Sequence, residues 1–380
     1  MGGVMENPRI LITSVGSLVG WALLAALHPI RSRLTVIGCN TLSYSPTLYD
    51  CDRAYLVPNT SETDAYREVL RGIVRRERPD IVIPGRDEEL ATLSELYTDP
   101  EWNTTRVLVP PRELVDVFND KNETSHFAAR HGLPFARTAC EPAEITAIVE
   151  TCGFPLVVKP RYGGHASKGV RIVTSPTQLR AALGVGNMLV QECLNPGTIH
   201  GLDTFSPEAG APLHYAVGDL RHVAEWLLDD NGEILSLQGA VGYTEGPLTK
   251  NMRLTDDASL REVATNYARV LAKAGHRGVA NIQGKRLADG RFIPFELNGR
   301  FTGSCAARAF LGCNQVALAV CHYLWRETYA SKPVYPDTMV LRSTIFESVN
   351  QTDMNTLEST GFWSASRFGS LGLVSTSRRT

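Results

Sequence analysis

FPLVVKPRYGGHASKGV, residues 154–170, joins two short apolar runs through a loop of glycine, serine and lysine. The first run, Phe154 to Val158, is rich in β-branched residues and predicts a buried strand. Lys159 follows directly, and the second β-branched run covers Val170 to Val173. Such a pair of strands is typical of a flap whose loop amides close over phosphate oxygens, with Lys159 as a point charge beneath them.

The same stretch also fits an ordinary hairpin with a solvated loop, because glycine-rich loops are common. The loop is not a P-loop, since the chain has no G-x-x-x-x-G-K-[ST] motif and no helix obviously follows. The decision between a phosphate flap and a plain hairpin therefore rests on the other segments.

Composition limits the class of protein. A chain of 380 residues predicts two or three domains, and 43% apolar with 21% charged residues is typical of a soluble globular protein. The net charge of −2 favours neither nucleic acid nor an anionic membrane as a partner. No apolar run reaches the roughly 18 residues of a membrane span, and no leader pattern opens the chain, so we expect a cytoplasmic protein. The eight cysteines form no C-x-x-C pair and are expected to be reduced.

The first segment has the strand–helix–strand pattern of a parallel α/β domain. Strand patterns at Arg9 to Ser14 and Leu34 to Cys39 flank an apolar helix, which implies right-handed crossovers. A dinucleotide fold is only weakly indicated, because G-x-x-x-G stands where G-x-G-x-x-G is expected. Pro110-Pro111 marks a boundary, so residues 1–111 form the predicted first domain.

Three consecutive acids, Asp87, Glu88 and Glu89, follow a predicted strand of this domain. Open α/β sheets bind ligands at the carboxyl ends of their strands, so these acids are candidates for holding a substrate amine. The alternative is that they are favourable acids in the first turn of the next helix.

Residues 112–190 read as a small α+β subdomain that carries the glycine loop. Asn119-Asp120-Lys121 opens a helix, with the asparagine or the aspartate as its cap. The apolar run from Met188 to Cys193 passes through Gln191-Glu192, and we expect it to offer backbone groups to an adenine edge.

A hairpin in residues 191–330 gives the strongest group of polar residues. Glu296 and Asn298 lie two apart on one predicted strand, so both face one side, and Gln283 on the partner strand can face them. Carboxylate and carbonyl oxygens from paired strands suit magnesium. Arg300 can reach a phosphoryl group or a carboxylate beyond the metal. The alternative is a hairpin with a solvated polar face.

Taken in order, these motifs resemble the ATP-grasp enzymes, in the branch related to the large chain of carbamoyl phosphate synthase and to small amino-acid ligases. The resemblance covers residues 9 to about 325. It implies a PreATP-grasp domain followed by a two-subdomain ATP-grasp fold, that is, an α/β domain and then an α+β unit. Residues 331–380 would form a C-terminal extension.

The resemblance also implies site roles. Magnesium, with Mn²⁺ as an alternative, would bind Gln283, Glu296 and Asn298. The residues that would contact ATP are Lys121, Lys159, Gly163, Gly164, Ser167, Lys168, Gly169, Gln191, Glu192, Cys193 and Leu194. Two features depart from the family: Gly299 stands where proline is usual, and Arg221 falls where a ribose-binding glutamate is expected. Glu192 or Glu225 are the alternatives for that ribose contact.

The resulting hypothesis is a carboxylate–amine ligase that uses ATP to form an acyl phosphate on small amino-acid-like substrates. Arg300, Lys159 and Arg253 are its candidate catalytic residues. For His165 and His276, the nearest candidates for a general base, a surface or structural role is expected instead. The alternatives left open are another nucleophile, bicarbonate as the acceptor, and an ATP-binding module without turnover. The expected partners are the two small substrates, with a homodimer left open.

Overall fold

The computed structural model describes residues 7–163, 168–194, 211–212, 220–245, 248–330, 338–343 and 348–365. Within these ranges the strands are β1 (Arg9–Ile12), β2 (Thr35–Asn40), β3 (Arg53–Leu56), β4 (Ile81–Ile83), β5 (Arg106–Val107), β6 (Thr138–Ala139), β7 (Leu156–Pro160), β8 (Arg171–Val173), β9 (Met188–Glu192), β10 (Ala211–Pro212), β11 (Leu220–Leu228), β12 (Ile234–Glu245), β13 (Leu248–Thr249), β14 (Asn251–Leu254), β15 (Gly278–Arg286), β16 (Phe292–Asn298), β17 (Val340–Leu341) and β18 (Phe362–Ser364). The helices are α1 (Leu18–Leu27), α2 (Thr63–Glu77), α3 (Leu90–Leu96), α4 (Val115–Asn119), α5 (Lys121–Arg130), α6 (Pro142–Cys152), α7 (Pro176–Leu183), α8 (Ala258–Lys273), α9 (Cys305–Phe310), α10 (Gln315–Val320) and α11 (Gln351–Thr360).

The first sheet has the strand order β18-β3-β2-β1-β4-β5. Strands β1 to β5 run parallel, which confirms the predicted N-terminal parallel sheet. β18 comes from the C-terminal tail and pairs antiparallel with β3. Part of the predicted C-terminal extension therefore returns to the first sheet. None of the helices in the ranges given above is long and apolar enough to span a membrane.

The second sheet has the order β10-β8-β7-β9-β6 and contains the glycine loop. The two strands predicted on either side of that loop are β7 and β8, which pair directly in antiparallel register. Helices α6 and α7 cover the sheet through a small core of Ile148, Leu179 and the strand residues Leu156 and Val158. β7 lies between β8 and β9, and Lys159 near its end pairs with Leu189 of β9.

The third sheet has the order β16-β15-β11-β12-β14-β17, with β13 paired to β12. A turn at residues 229–232 joins β11 to β12, which pair antiparallel. In that turn the carboxylate of Asp229 accepts 2.8 Å hydrogen bonds from the backbone N–H groups of Asn231 and Glu233. Gly232 has φ +87°, a left-handed conformation that glycine adopts without strain.

The first and third sheets share one apolar core. Trp226 of β11 is fully buried and belongs to the same cluster as Leu11, Val82 and Phe118. Burial of such large side chains supplies most of the free energy that holds the two units together. The shared core brings the loop after β4 next to the end of β16.

Candidate active site

A cleft of about 200 Å³ opens where the three sheets approach one another. Its walls come from the loop after β4, the junction of α4 and α5, the start of the glycine loop, and the end of β16. The residues that line it are Asp87, Glu88, Phe118, Asn119, Lys121, Tyr162, Gly163, Glu296, Leu297 and Asn298. The structure thus brings together residues that the sequence analysis singled out in three separate segments.

Lys159 links the second and third sheets. Its side chain is buried, and Nζ donates to Oε1 of Gln191 at 2.8 Å and to the carbonyl oxygen of Phe295 at 3.0 Å. Burial lowers the pKa of Lys159 to about 7, while the nearby carboxylate of Glu296 opposes that shift. A cation held this rigidly, with few competing waters, suits the neutralisation of phosphate charge.

Lys121 lies beneath the start of the glycine loop. Asp120 caps α5 by accepting from the N–H of Asn122 at 2.9 Å, and it also forms an ion pair with Arg161 at 2.7 Å. These contacts fix the first turn of α5, from which Nζ of Lys121 donates to the carbonyl oxygen of Gly163 at 2.8 Å. Lys121 is therefore aimed at the loop that is predicted to close over phosphate.

The glycine loop enters and leaves through left-handed backbone. Gly163 has φ +64° and Gly169 has φ +77°, and Lys168 is exposed beside the latter. Gly164 and Ser167, which were predicted to contact phosphate, lie outside the described residues. The conformation at both ends explains why glycine is required there.

The predicted adenine segment, Gln191 to Leu194, runs along the end of β9. Gln191 is buried and fixes Lys159, whereas Oε1 of Glu192 accepts from the backbone N–H of Arg137 at 2.8 Å. Cys193 lies near Lys285 of β15, a residue that sequence reasoning missed. Burial lowers the pKa of Lys285 to about 8, and the charge of an ionised Cys193 thiol would oppose that shift.

The candidate metal residues occupy paired positions on β15 and β16. Gln283 lies opposite Glu296, and Asn281 lies opposite Asn298. Asn298 lines the cleft, and its Nδ2 donates to Oδ1 of Asn281 at 3.2 Å, so its side-chain oxygen is not used in that bond. This set of one carboxylate and two amide oxygens fits a hard cation such as Mg²⁺. In the described part of the chain, no group of three or more His, Cys, Asp or Glu residues offers an alternative metal site.

Arg221 of β11 also lies beside these residues. Its Nη1 donates to Oε1 of Gln283 at 3.2 Å. Burial lowers the pKa of the Arg221 guanidinium, and the carboxylate of Glu296 opposes this. Sequence reasoning noticed Arg221 only as a departure at the ribose position.

Arg300, just beyond β16, reaches back to the first sheet. Its Nη2 lies 2.5 Å from Oδ2 of Asp87, and its Nη1 donates to the carbonyl oxygen of Phe301 at 2.9 Å. Both side chains are largely buried, and Nε of Arg300 and Oδ1 of Asp87 have no hydrogen-bond partner among the residues that the structure describes. The pair therefore keeps one donor and one acceptor that a polar ligand can use.

The other two acids of this segment differ in environment. Glu88 lines the cleft. Glu89 is fully buried and accepts hydrogen bonds from the hydroxyls of Thr13, Ser14 and Tyr66 at 2.6–2.8 Å. Burial raises the pKa of Glu89, while these hydrogen bonds oppose the shift. Glu89 therefore holds the first sheet together and does not face a substrate.

A buried ion pair supports the turn after Arg300. Glu225 is fully buried, and its Oε2 accepts from the backbone N–H of Thr302 at 2.9 Å. Arg308, also buried, donates to Oγ1 of Thr302 at 2.7 Å and lies 3.7 Å from Glu225. Glu225 is thus committed to the backbone of this turn and is not available to a ribose.

Two further candidates lie away from the cleft. Arg253 is exposed on β14, where it pairs with Val241 of β12. Val241 in turn pairs with His222 of β11, so Arg253 and His222 face the same side of the sheet. Arg221, the neighbour of His222, faces the opposite side because side chains alternate along a strand. The structure does not bring Arg253 to the proposed site. His276 is fully buried against Phe118, and burial lowers its pKa to about 4. It is therefore a neutral structural histidine, while His165 lies outside the described residues.

Comparison with known proteins identifies the architecture. Residues 10–108 match the family described as the PylC-like N-terminal domain. The chain is similar to the formate-dependent phosphoribosylglycinamide formyltransferase of Synechococcus sp. (strain CC9902), at 30% identity over 149 residues, which are 39% of this chain and 36% of the relative. It is also similar to the carbamoyl phosphate synthase large chain of Pasteurella multocida (strain Pm70), at 24% identity over 72% of this chain and 24% of the relative.

Among solved structures, the L-amino acid ligase from Bacillus licheniformis superimposes with a TM-score of 0.58 at 17% identity, covering 84% of this chain and 74% of that one. The chain therefore has the ATP-grasp fold, and the resemblance predicted from its motifs is confirmed at the level of the fold. The chain spans less than half of the length of the two curated relatives described above.

Proposed function

We propose that this protein is an ATP-dependent carboxylate–amine ligase that acts on small amino-acid-like substrates. The observation that carries the proposal is the convergence, in one cleft, of the Glu296–Asn298 pair, Lys121 and Gly163 with the acids of the loop after β4. Phosphoryl transfer requires mainly positioning and charge neutralisation. These residues can position the phosphates and neutralise their charge, and they lie beside a pocket that can hold an acceptor.

The nucleotide would lie between the second and third sheets. Lys159 and Lys121 would neutralise phosphate charge, and the amides of the glycine loop would cover the phosphates. Glu296, Asn298 and Gln283 would hold Mg²⁺, with Mn²⁺ as an alternative. The metal would withdraw charge from the transferring phosphoryl group and would orient it.

The acceptor would lie between Arg300 and the acids of the first sheet. In the first step a carboxylate oxygen attacks the γ-phosphorus, the bond to the bridging oxygen breaks, and ADP leaves. In the second step a neutral amine attacks the acyl carbon, phosphate leaves with the C–O electron pair, and the amine loses a proton. The positive charge of Arg300 can attract a carboxylate, and Glu88 can attract an ammonium group, a combination suited to amino-acid-like molecules.

The proposal is tested by measuring ADP release from magnesium-ATP with pools of amino acids and other small carboxylates. Hydroxylamine is added to trap an acyl phosphate as its hydroxamate. A hydroxamate that depends on the pool supports carboxylate activation, and its mass identifies the acid. ADP release without a hydroxamate indicates bicarbonate or a shielded intermediate, and nucleotide binding without ADP release from any pool contradicts the proposal.

A further inference from the structure

Arg221 lies beside Gln283, one of the residues proposed to bind the metal, although it was not among the residues predicted to contact ATP. It lies on β11, the strand next to β15, two positions from the residue that pairs with Gln283. From there its guanidinium donates to Oε1 of Gln283 at 3.2 Å. It therefore faces the side of the sheet that carries the candidate metal residues.

Arg221 and Lys159 approach the same aromatic ring. The guanidinium carbon of Arg221 and Nζ of Lys159 each lie 5.8 Å from the ring centroid of Phe295, the residue that precedes Glu296. Two cations held beside one another repel and are normally separated, unless an anion lies between them. Glu296 is the carboxylate that acts on both of them, and its single negative charge does not balance two cations.

This excess of positive charge indicates a bound polyanion. A contact to the ribose would not balance this excess, because sugar hydroxyls are neutral. The fixed fork of donors on a guanidinium matches phosphate oxygens. The contact to Gln283 holds that fork at the end of the site where the metal residues lie.

We propose that Arg221 is a phosphate-binding residue, which contacts a β- or γ-phosphate oxygen of the bound nucleotide beside the Gln283–Glu296 pair. This inference rests on the proposed function, because it requires a nucleotide in the same cleft. Arg221 would provide a permanent cation at the position where the family resemblance leads one to expect a ribose-binding glutamate. The chain would therefore depend more on the phosphates, and less on the ribose, for its nucleotide affinity.

The test measures the dissociation constants of magnesium complexes of AMPPNP, ADP and AMP by calorimetry with the full chain. Arg221→Gln is expected to weaken AMPPNP binding at least tenfold and AMP binding less than twofold. Arg221→Lys is expected to recover part of the loss, because it restores the charge without the fork. Arg286→Gln is the control for loss of one positive charge, because this arginine of β15 is 55% exposed and lies 3.0 Å from the carboxylate of Asp257.

Each result has a distinct meaning. An equal loss for AMPPNP and AMP would overturn the inference in favour of a purely structural role for Arg221. Unchanged affinity for all three nucleotides in a folded Arg221→Gln variant would also overturn it. If the unsubstituted chain binds no nucleotide at all, the proposed function itself fails.

Discussion

Arg300 and Asp87 form an ion pair between the end of β16 and the loop after β4, with Nη2 and Oδ2 2.5 Å apart. The side chains are only 15% and 19% exposed, so water screens the pair weakly. The contact joins the first and third sheets directly at the cleft. It couples the position of the candidate acceptor-binding arginine to the first domain.

Replacing Asp87 with asparagine should therefore affect both stability and turnover. We expect a loss of about 1–3 kcal/mol in the free energy of unfolding, because the change leaves the charge of Arg300 without its partner in a largely buried position. Denaturant unfolding of Asp87→Asn, Arg300→Gln and the double variant measures the coupling. If the double variant loses as much free energy of unfolding as the two single variants together, the interaction between Asp87 and Arg300 does not stabilise the fold.

Glu296 supplies the negative charge of the candidate metal set. Glu296→Gln preserves the size of the side chain and should reduce ADP release by at least about a hundredfold, as loss of a preorganised charge contact in an active site does. Circular dichroism and the midpoint of thermal unfolding should be unchanged. Glu262→Gln, on the exposed face of α8, is the matched control. Retained turnover in Glu296→Gln would overturn the metal assignment.

Gly299 lies at the position where the family usually has proline. In this chain, steric crowding explains why glycine is found there. A Cβ atom there would lie 2.5 Å from Cγ of Pro110 and 3.0 Å from the ring of Phe118. Gly299→Ala should therefore destabilise the fold by about 1–3 kcal/mol through overpacking. Gly72→Ala in α2 is the control, since its Cβ would meet nothing within 4 Å, and it should stabilise by about 0.5–1 kcal/mol. Equal effects of the two changes would contradict this explanation.

The local patterns of the sequence predicted the elements that carry the site. β-branched runs located β7 and β8, and strand alternation placed Glu296 opposite Gln283, because both signals depend on near neighbours in the chain. The sequence could not reveal that Asp87 reaches Arg300, since 213 residues separate them. That contact depends on how the sheets pack.

Three features escaped prediction for identifiable reasons. β3 is only four residues long, and its burial comes from neighbouring strands rather than from an alternating pattern. β18 pairs with it from the C-terminal tail and is only three residues long, too short a run to show a strand pattern. Glu225 interrupts the apolar residues of β11 and looked like a candidate ligand for the ribose, but its partner is the backbone N–H of Thr302, which no pattern of side chains can indicate.

Nucleotide binding should depend on pH through Lys159. The pKa of Lys159 is about 7 because the side chain is buried, so its ammonium form is fully populated only below that pH. Phosphate binds the charged form. The affinity for magnesium-ADP should therefore fall as pH rises above 7, by up to about tenfold per pH unit. Calorimetry between pH 7 and pH 9 measures it, in a range where the nucleotide phosphates, with a pKa near about 6, stay ionised.

Lys159→Arg is the informative control, because a guanidinium remains charged throughout this range. Its affinity for magnesium-ADP should be almost independent of pH, whatever its absolute value. If the affinity of the variant and that of the unsubstituted chain change equally with pH, the pH dependence arises from another group. Lys285, with a pKa of about 8, would then be tested by Lys285→Arg. A flat profile in the unsubstituted chain would mean that Lys159 does not contact the phosphates.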